Sequence, residues 1–154
     1  MKRMTSVFSA LLLATLCTTT ALAAEHSIPC KTLPTTVQAK SKDAVGNATV
    51  RNCVKDVSDG KTTYELETML DGRSKDITFD SDGTVLEVEQ QVDAASLPAS
   101  VASAFHKAAE GGSMGKIESL TRGDKIVSYE GVVTRLGKRS EIAFRPDGAS
   151  MKAD

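Results

Sequence analysis

The chain has 154 residues, of which 40% are apolar and only 4% aromatic, and its 19 basic and 20 acidic side chains leave a formal charge of −1. Such a balance offers no basic stripe for a nucleic acid. The length suits one ordinary domain or two small fused units, with few large side chains to fill either.

The first 23 residues carry the parts of a cleavable secretory signal. Lys2 and Arg3 give the positive start, an apolar stretch runs from Val7 through Leu16, and Ala21-Leu22-Ala23 supplies small residues for a peptidase. Cleavage is expected after Ala23, with Ala24 the adjacent choice. The competing readings are a membrane anchor, for which the stretch is short and interrupted at Thr18-Thr19-Thr20, and a lipoprotein at Cys17, which follows the bulky Leu16. Removal of the leader takes Lys2 and Arg3 and no acid, so the net charge moves from −1 to −3. No membrane anchor is then expected, and the product is periplasmic or secreted. Cys30 and Cys53 are the cysteines left, and an oxidising compartment makes a disulfide the expectation, against free thiols or a metal pair. A metal site would want more ligands than His26 and His106 add.

After an N-terminal segment, residues 24–32, the chain says much the same thing twice, over 33–92 and 97–154. Leu33-Pro34-Thr35-Thr36-Val37 returns as Leu97-Pro98-Ala99-Ser100-Val101, Tyr64-Glu65 as Tyr129-Glu130, Gly72 as Gly137, Phe79 as Phe144 and Asp82-Gly83 as Asp147-Gly148. A near-constant offset over five landmarks marks an internal repeat. Each part opens with a helix. Pro34 suits a first turn, Leu33, Val37 and Ala44 mark one face, and Gly46 ends it. Pro98 opens the second helix, with Leu97, Val101, Ala104, Phe105 and Ala108 on one face and Gly111-Gly112 as the stop.

Strands follow each helix. The pattern predicts 48–57, 62–70, 74–80 and 84–91, separated by Asp59-Gly60, Asp71-Gly72 and Asp82-Gly83, then 116–122, 125–136, 139–145 and a stub at 149–152. Asp-Gly between extended runs is a hairpin signal, because glycine accepts the positive φ of tight turns. Alternation sends Ile77, Phe79, Leu86 and Val88, and likewise Ile142, Phe144, Met151 and Ala153, toward the helices. The predicted fold class is therefore α+β, in two tandem repeats, each one helix packed on an antiparallel four-stranded meander.

Tyr64-Glu65, Gly72, Ile77-Thr78-Phe79-Asp80 and Asp82-Gly83-Thr84-Val85-Leu86, with Tyr129-Glu130, Gly137, Ile142-Ala143-Phe144 and Asp147-Gly148, resemble the PepSY family, in its tandem form related to the β-lactamase-inhibitor fold. The resemblance runs from about Leu33 to Lys152. It implies an exported, non-catalytic module of the kind found in protease propeptides and inhibitor-like proteins. The last strand departs from the family pattern, and no inhibitory residue of the family has a motif here onto which it can be placed.

Three constellations invite chemistry and lack its context. Gly111-Gly112-Ser113-Met114-Gly115 spells a nucleophile elbow, but the order is helix then strand, and no histidine follows Ser113. Asp80-Ser81-Asp82-Gly83 with Glu87 resembles part of a calcium loop, incompletely liganded, and its counterpart has Arg145 in place of an acid. Glu65, Glu67, Glu87 and Glu89 form an acidic group on what reads as a solvated strand face. His106 sits one position off the apolar face of its helix, and Asn47-Ala48-Thr49 is a glycosylation sequon for a host that reads one. With no phosphate loop and no ligand cluster, neither catalytic residue, metal nor cofactor is expected.

The function expected is an exported binding module, inhibitor-like toward a partner enzyme such as a protease or other hydrolase in the same extracytoplasmic compartment. Tyr64, Arg73, Tyr129, Arg135, Lys138 and Arg139 are the candidate partner contacts, on the open sheet face or at the hairpin tips. The alternative is an envelope protein that binds a small ligand or divalent ion through the acidic strand face. A shortened last strand also leaves an edge open to strand addition.

Overall fold

The computed structural model describes residues 26–58 and 60–152; the predicted leader lies outside the described residues. The chain runs β1 (His26–Ser27), α1 (Thr35–Val45), β2 (Thr49–Ser58), β3 (Lys61–Leu70), β4 (Arg73–Asp80), β5 (Val85–Gln91), α2 (Ala99–Ala108), β6 (Ser113–Arg122), β7 (Lys125–Arg135), β8 (Lys138–Phe144) and β9 (Ser150–Met151). Short 3-10 turns at Cys30–Thr32 and Ala94–Ser96 lead into the two helices.

The nine strands form one antiparallel sheet in sequence order, β1 to β9. This overturns the expected pair of helix-plus-four-strand repeats. The finding responsible is a ladder between β5 and β6, with Val88 opposite Thr121, Glu89 opposite Leu120, Gln90 opposite Ser119 and Gln91 opposite Glu118. Hairpin signals report only strands joined by a tight turn, and β5 and β6 are joined through α2. Pairing them removes two exposed strand edges, which would otherwise carry unpaired amide and carbonyl groups.

Both helices lie on the same face of this sheet. Val88 packs against the cluster under α1, formed by Val37, Val45, Cys53, Leu66, Ile77 and Phe79. Gln90 shares its face two residues on, Ser119 stands opposite Gln90, and Tyr129 stands opposite Ser119. Tyr129 belongs in turn to the cluster under α2, with Val101, Phe105, Ile117 and Phe144. Phe105 and Phe144 meet edge to face, 4.9 Å between ring centres. Gly131 makes room for this pair: a Cβ there would come within 2.9 Å of the Phe105 ring.

Each helix start is pressed against a hairpin tip. Thr36 Oγ1 donates to the Ser81 carbonyl at 3.0 Å, and Ser100 Oγ donates to the Pro146 carbonyl at 3.1 Å. Gly83 and Gly148 sit at these tips with φ of +81° and +85°, and a Cβ on either would lie under 3.0 Å from a helix carbonyl. The Asp-Gly turns are thus needed for close approach to the helices as well as for the bend.

Cys30 and Cys53 form a disulfide that ties the turn before α1 to the centre of β2, across a sequence separation of 23. Closing a loop of that length removes freedom from the unfolded chain worth about 3 kcal/mol. We expect the Cys30→Ala/Cys53→Ala double variant to lose roughly that much stability, read as a lower urea midpoint with an unchanged slope.

Candidate functional site

The helix-free face of the sheet carries one charge sign. Register puts Val54, Glu65, Thr78 and Glu87 in one row across β2 to β5. The next row runs Asn52, Glu67, Asp76, Glu89, Leu120 and Ser128. A third joins Gln91, Glu118, Glu130 and Ala143. Asp56, opposite Thr63, and Glu141, opposite Val132, extend the same face at its two ends. Two cations answer these acids at close range: Lys116 reaches Glu118 and Arg122 reaches Glu87, each at 2.7 Å.

The face is not a flat, fully wetted surface. Val54, Leu120, Ser128 and Ala143 are buried on it although no helix covers them. Two hollows, of about 240 and 190 Å³, open onto it, the first lined by Glu89, Lys116, Glu118, Glu130 and Glu141, the second by Asp56, Glu65, Thr78, Glu87 and Glu89. Glu89 is the wall they share. Burial, then the charges of Glu118, Glu87, Glu130 and Glu65, push its carboxyl up to about 7. Asp76 is raised as well, chiefly by burial and opposed by the Thr68 amide, which donates to its Oδ1 at 3.0 Å. Carboxylate oxygens of Asp76, Glu89 and Glu118 all lie within 4.8 Å of one another, a spacing that a hard divalent cation could bridge. Asp56 Oδ1 is shielded from solvent without a hydrogen-bond partner among the described residues.

The residues singled out from the sequence are distributed differently. Glu65, Glu67, Glu87 and Glu89 do share the face, yet β3 and β5 are not adjacent: β4 lies between them and contributes Asp76. Asp76, Glu118, Glu130 and Glu141 escape a reading made one hairpin at a time, because the β5–β6 ladder brings the last three alongside. Tyr64 and Tyr129 are on the other face, Tyr129 buried under α2 and Tyr64 packed beside the α1 cluster. Arg73 pairs with Asp93 at 2.8 Å on the surface. Arg135 donates to the carbonyls of Ala108 and Glu110 at the end of α2, fixing the helix terminus. Lys138 and Arg139 are exposed on β8.

The other motifs have structural employment. Ser113 opens β6 opposite Thr134, with strand rather than helix after it. Asp80 Oδ1 accepts the amides of Asp82 and Thr84, both at 2.9 Å, closing its turn, while Glu87 is engaged by Arg122.

No protein-family model and no curated protein matches this sequence. Among solved structures, a candidate periplasmic protein of Bacteroides eggerthii superimposes with a TM-score of 0.64 at 17% identity, over 77% of this chain and 86% of that one. A DUF2874 family protein of Bacteroides ovatus gives 0.62 at 18% identity, over 79% and 86%. A BLIP-like protein of Bacteroides fragilis gives 0.58 at 22%, over 81% and 85%. The fold is therefore BLIP-like.

The raised carboxyl of Glu89 has a consequence for stability. The folded chain holds this proton more tightly than the unfolded one, whose ordinary value is 4.5. Its contribution is thus fully present below about pH 4.5 and is lost as the pH rises through 7. We expect Glu89→Gln to raise Tm by roughly 3 °C at pH 8, and the difference to vanish near pH 4 in a calorimetric pH series.

Proposed function

We propose that this protein is an exported, non-catalytic binding module whose acidic sheet face receives a positively charged segment of a partner protein. The observation that carries the reading is the single sign of that face: nine carboxylates, Asp56, Glu65, Glu67, Asp76, Glu87, Glu89, Glu118, Glu130 and Glu141, gathered from seven strands. An ordinary solvated face interleaves signs. Crowding one sign onto a partly dehydrated surface costs stability, and its return is a field that steers and orients a partner of opposite charge. The leader, the disulfide and the description of a structural neighbour as a candidate periplasmic protein support a periplasmic setting. The BLIP-like fold supports the inhibitor-like version of the module, in which the bound segment belongs to an enzyme such as a hydrolase.

Glu67→Lys combined with Glu141→Lys tests this at the two ends of the face, away from the buried Glu89. We expect the double variant to keep its Tm within about 2 °C, since surface substitutions are mild. A partner retained from the exporting cell by the wild-type chain should be released by moderate salt and bound at least about tenfold more weakly by the variant. Equal retention by both proteins, insensitive to salt, would rule out the acidic face as the contact.

A second reading rests on the approach of Asp76, Glu89 and Glu118 to within 4.8 Å. In that reading the three carboxylates hold a divalent cation, whose charge relieves their repulsion and lowers the Glu89 pKa. Calcium added at millimolar level should then raise Tm in the wild type and not in Glu118→Gln. No calorimetric heat and no Tm change would remove this reading and leave the first untouched.

A further inference from the structure

We infer that the outer edge of β8 takes an extended segment of a partner protein, apolar at one end and acidic at the other, as an added antiparallel strand. This surface is separate from the acidic face and does not depend on it. β9 pairs with β8 only at Ala143 and Phe144, so Lys138 to Ile142 lie beyond it. The turn Leu136-Gly137 joins β7 to β8 with positive φ at both residues, the geometry of a two-residue hairpin. Arg135 and Lys138 are then a hydrogen-bonded pair. With no irregularity in the register, Ser140 and Ile142 also direct their amides and carbonyls to β7. Arg139 and Glu141 direct theirs outward, leaving two donors and two acceptors in a row.

The helix side of this edge is hollow. An opening of about 650 Å³ between α2 and the edge is walled by Ala104, Ala108, Ile142, Phe144 and Met151. In the first half of the chain β5 pairs along the same part of β4, from Lys75 to Phe79, and its Val88 packs under α1. Nothing equivalent lies beside β8 among the described residues. Lys107 and Lys152 flank the opening, and Lys138 lines the neighbouring hollow with Leu136. None of these lysines has an acid within salt-bridge distance among the described residues. A basic rim on a chain of net negative charge selects an acidic occupant. Leu136, fully exposed at φ +48°, stands where the corresponding β3–β4 turn has Asp71. It puts a bare apolar side chain at one end of this edge, at a backbone conformation leucine disfavours.

A second copy of this chain fits the edge poorly. The register that uses all four outward groups puts Arg139 opposite the other copy's Glu141. The incoming hairpin tip, Leu136-Gly137, then falls opposite Phe144 and Ala143, where β9 already lies. A single strand that ends beside Ile142 meets no such obstruction. Its side chains opposite Ile142 and Ser140 face the hollow, and those opposite Arg139 and Lys138 face cations.

The matching probe is the capped pentapeptide Val-Thr-Val-Glu-Asp, carrying a fluorophore. We expect it to bind the full mature chain and to slow amide exchange at Arg139 and Glu141. Val-Thr-Val-Lys-Lys should bind at least about tenfold more weakly, as should a peptide N-methylated at its second and fourth residues, which cannot form the ladder. Glu141→Pro removes an outward amide that β7 does not use, so it should weaken binding while leaving Tm nearly unchanged. Should that variant fail to fold, the N-methylated peptide still decides. No binding at about 1 mM, equal binding of the N-methylated peptide, or protection confined to the acidic face overturns the inference. So does a concentration-dependent dimer of the chain that Glu141→Pro abolishes, which would make the occupant a second copy.

Discussion

The pairing of β5 with β6 sets the character of the whole molecule. Without it, two small sheets would each bury one helix and keep two edges. With it, Val88 to Gln91 lie against Glu118 to Thr121, and strand alternation becomes continuous from β2 to β8. Continuity forces α1 and α2 onto one face, because the residues beneath them share a parity across the ladder. The opposite face is left with no helix over any part of it. It also places Glu89 beside Leu120, with Glu118 close by. The electrostatics of the face are thus a product of one four-pair ladder between elements that no turn connects.

That ladder works against itself. Side chains opposite one another in a sheet stand close enough to interact, and like charges there are unfavourable. Glu118 faces Glu130 directly across β6 and β7. Lys116 and Arg122 reach in to offset part of the charge, and Glu89 responds by holding its proton to about pH 7. The two hydrophobic clusters and the disulfide carry the stability that lets the face persist. Marginal folding energies make such an arrangement costly to keep unless the face has a use.

Much of this was legible in the sequence. The helices begin at the predicted prolines, and the strands fall within a few residues of their predicted bounds, because helical and alternating periods and Asp-Gly turns are local signals. Ile77, Phe79 and Phe144 point where alternation sends them. Leu86 does not bury, since the β4–β5 register shifts between Thr78 and Phe79 and releases the start of β5. The site was half legible. The acids of β3 and β5 could be grouped because hairpins link them through β4. Glu118, Glu130 and Glu141 could not be added, since their proximity depends on pairing across α2. The tyrosines misled for a related reason: Tyr129 has the period of a strand residue on either face, and only the packing of Phe105 and Phe144 places it under the helix.

The two surfaces left exposed by the fold differ in what they can select. The acidic face offers side chains but no free backbone, so it reads a partner by charge and shape. The β8 edge offers free backbone with a hollow beside it, so it reads a partner by extension and by alternation of side chains. Their charges are opposite, and Arg139 and Glu141 mark the line where they meet. A partner with a basic surface and an acidic extended segment could occupy both at once. Each contact would then raise the effective concentration of the other, and two modest affinities would combine into firm retention.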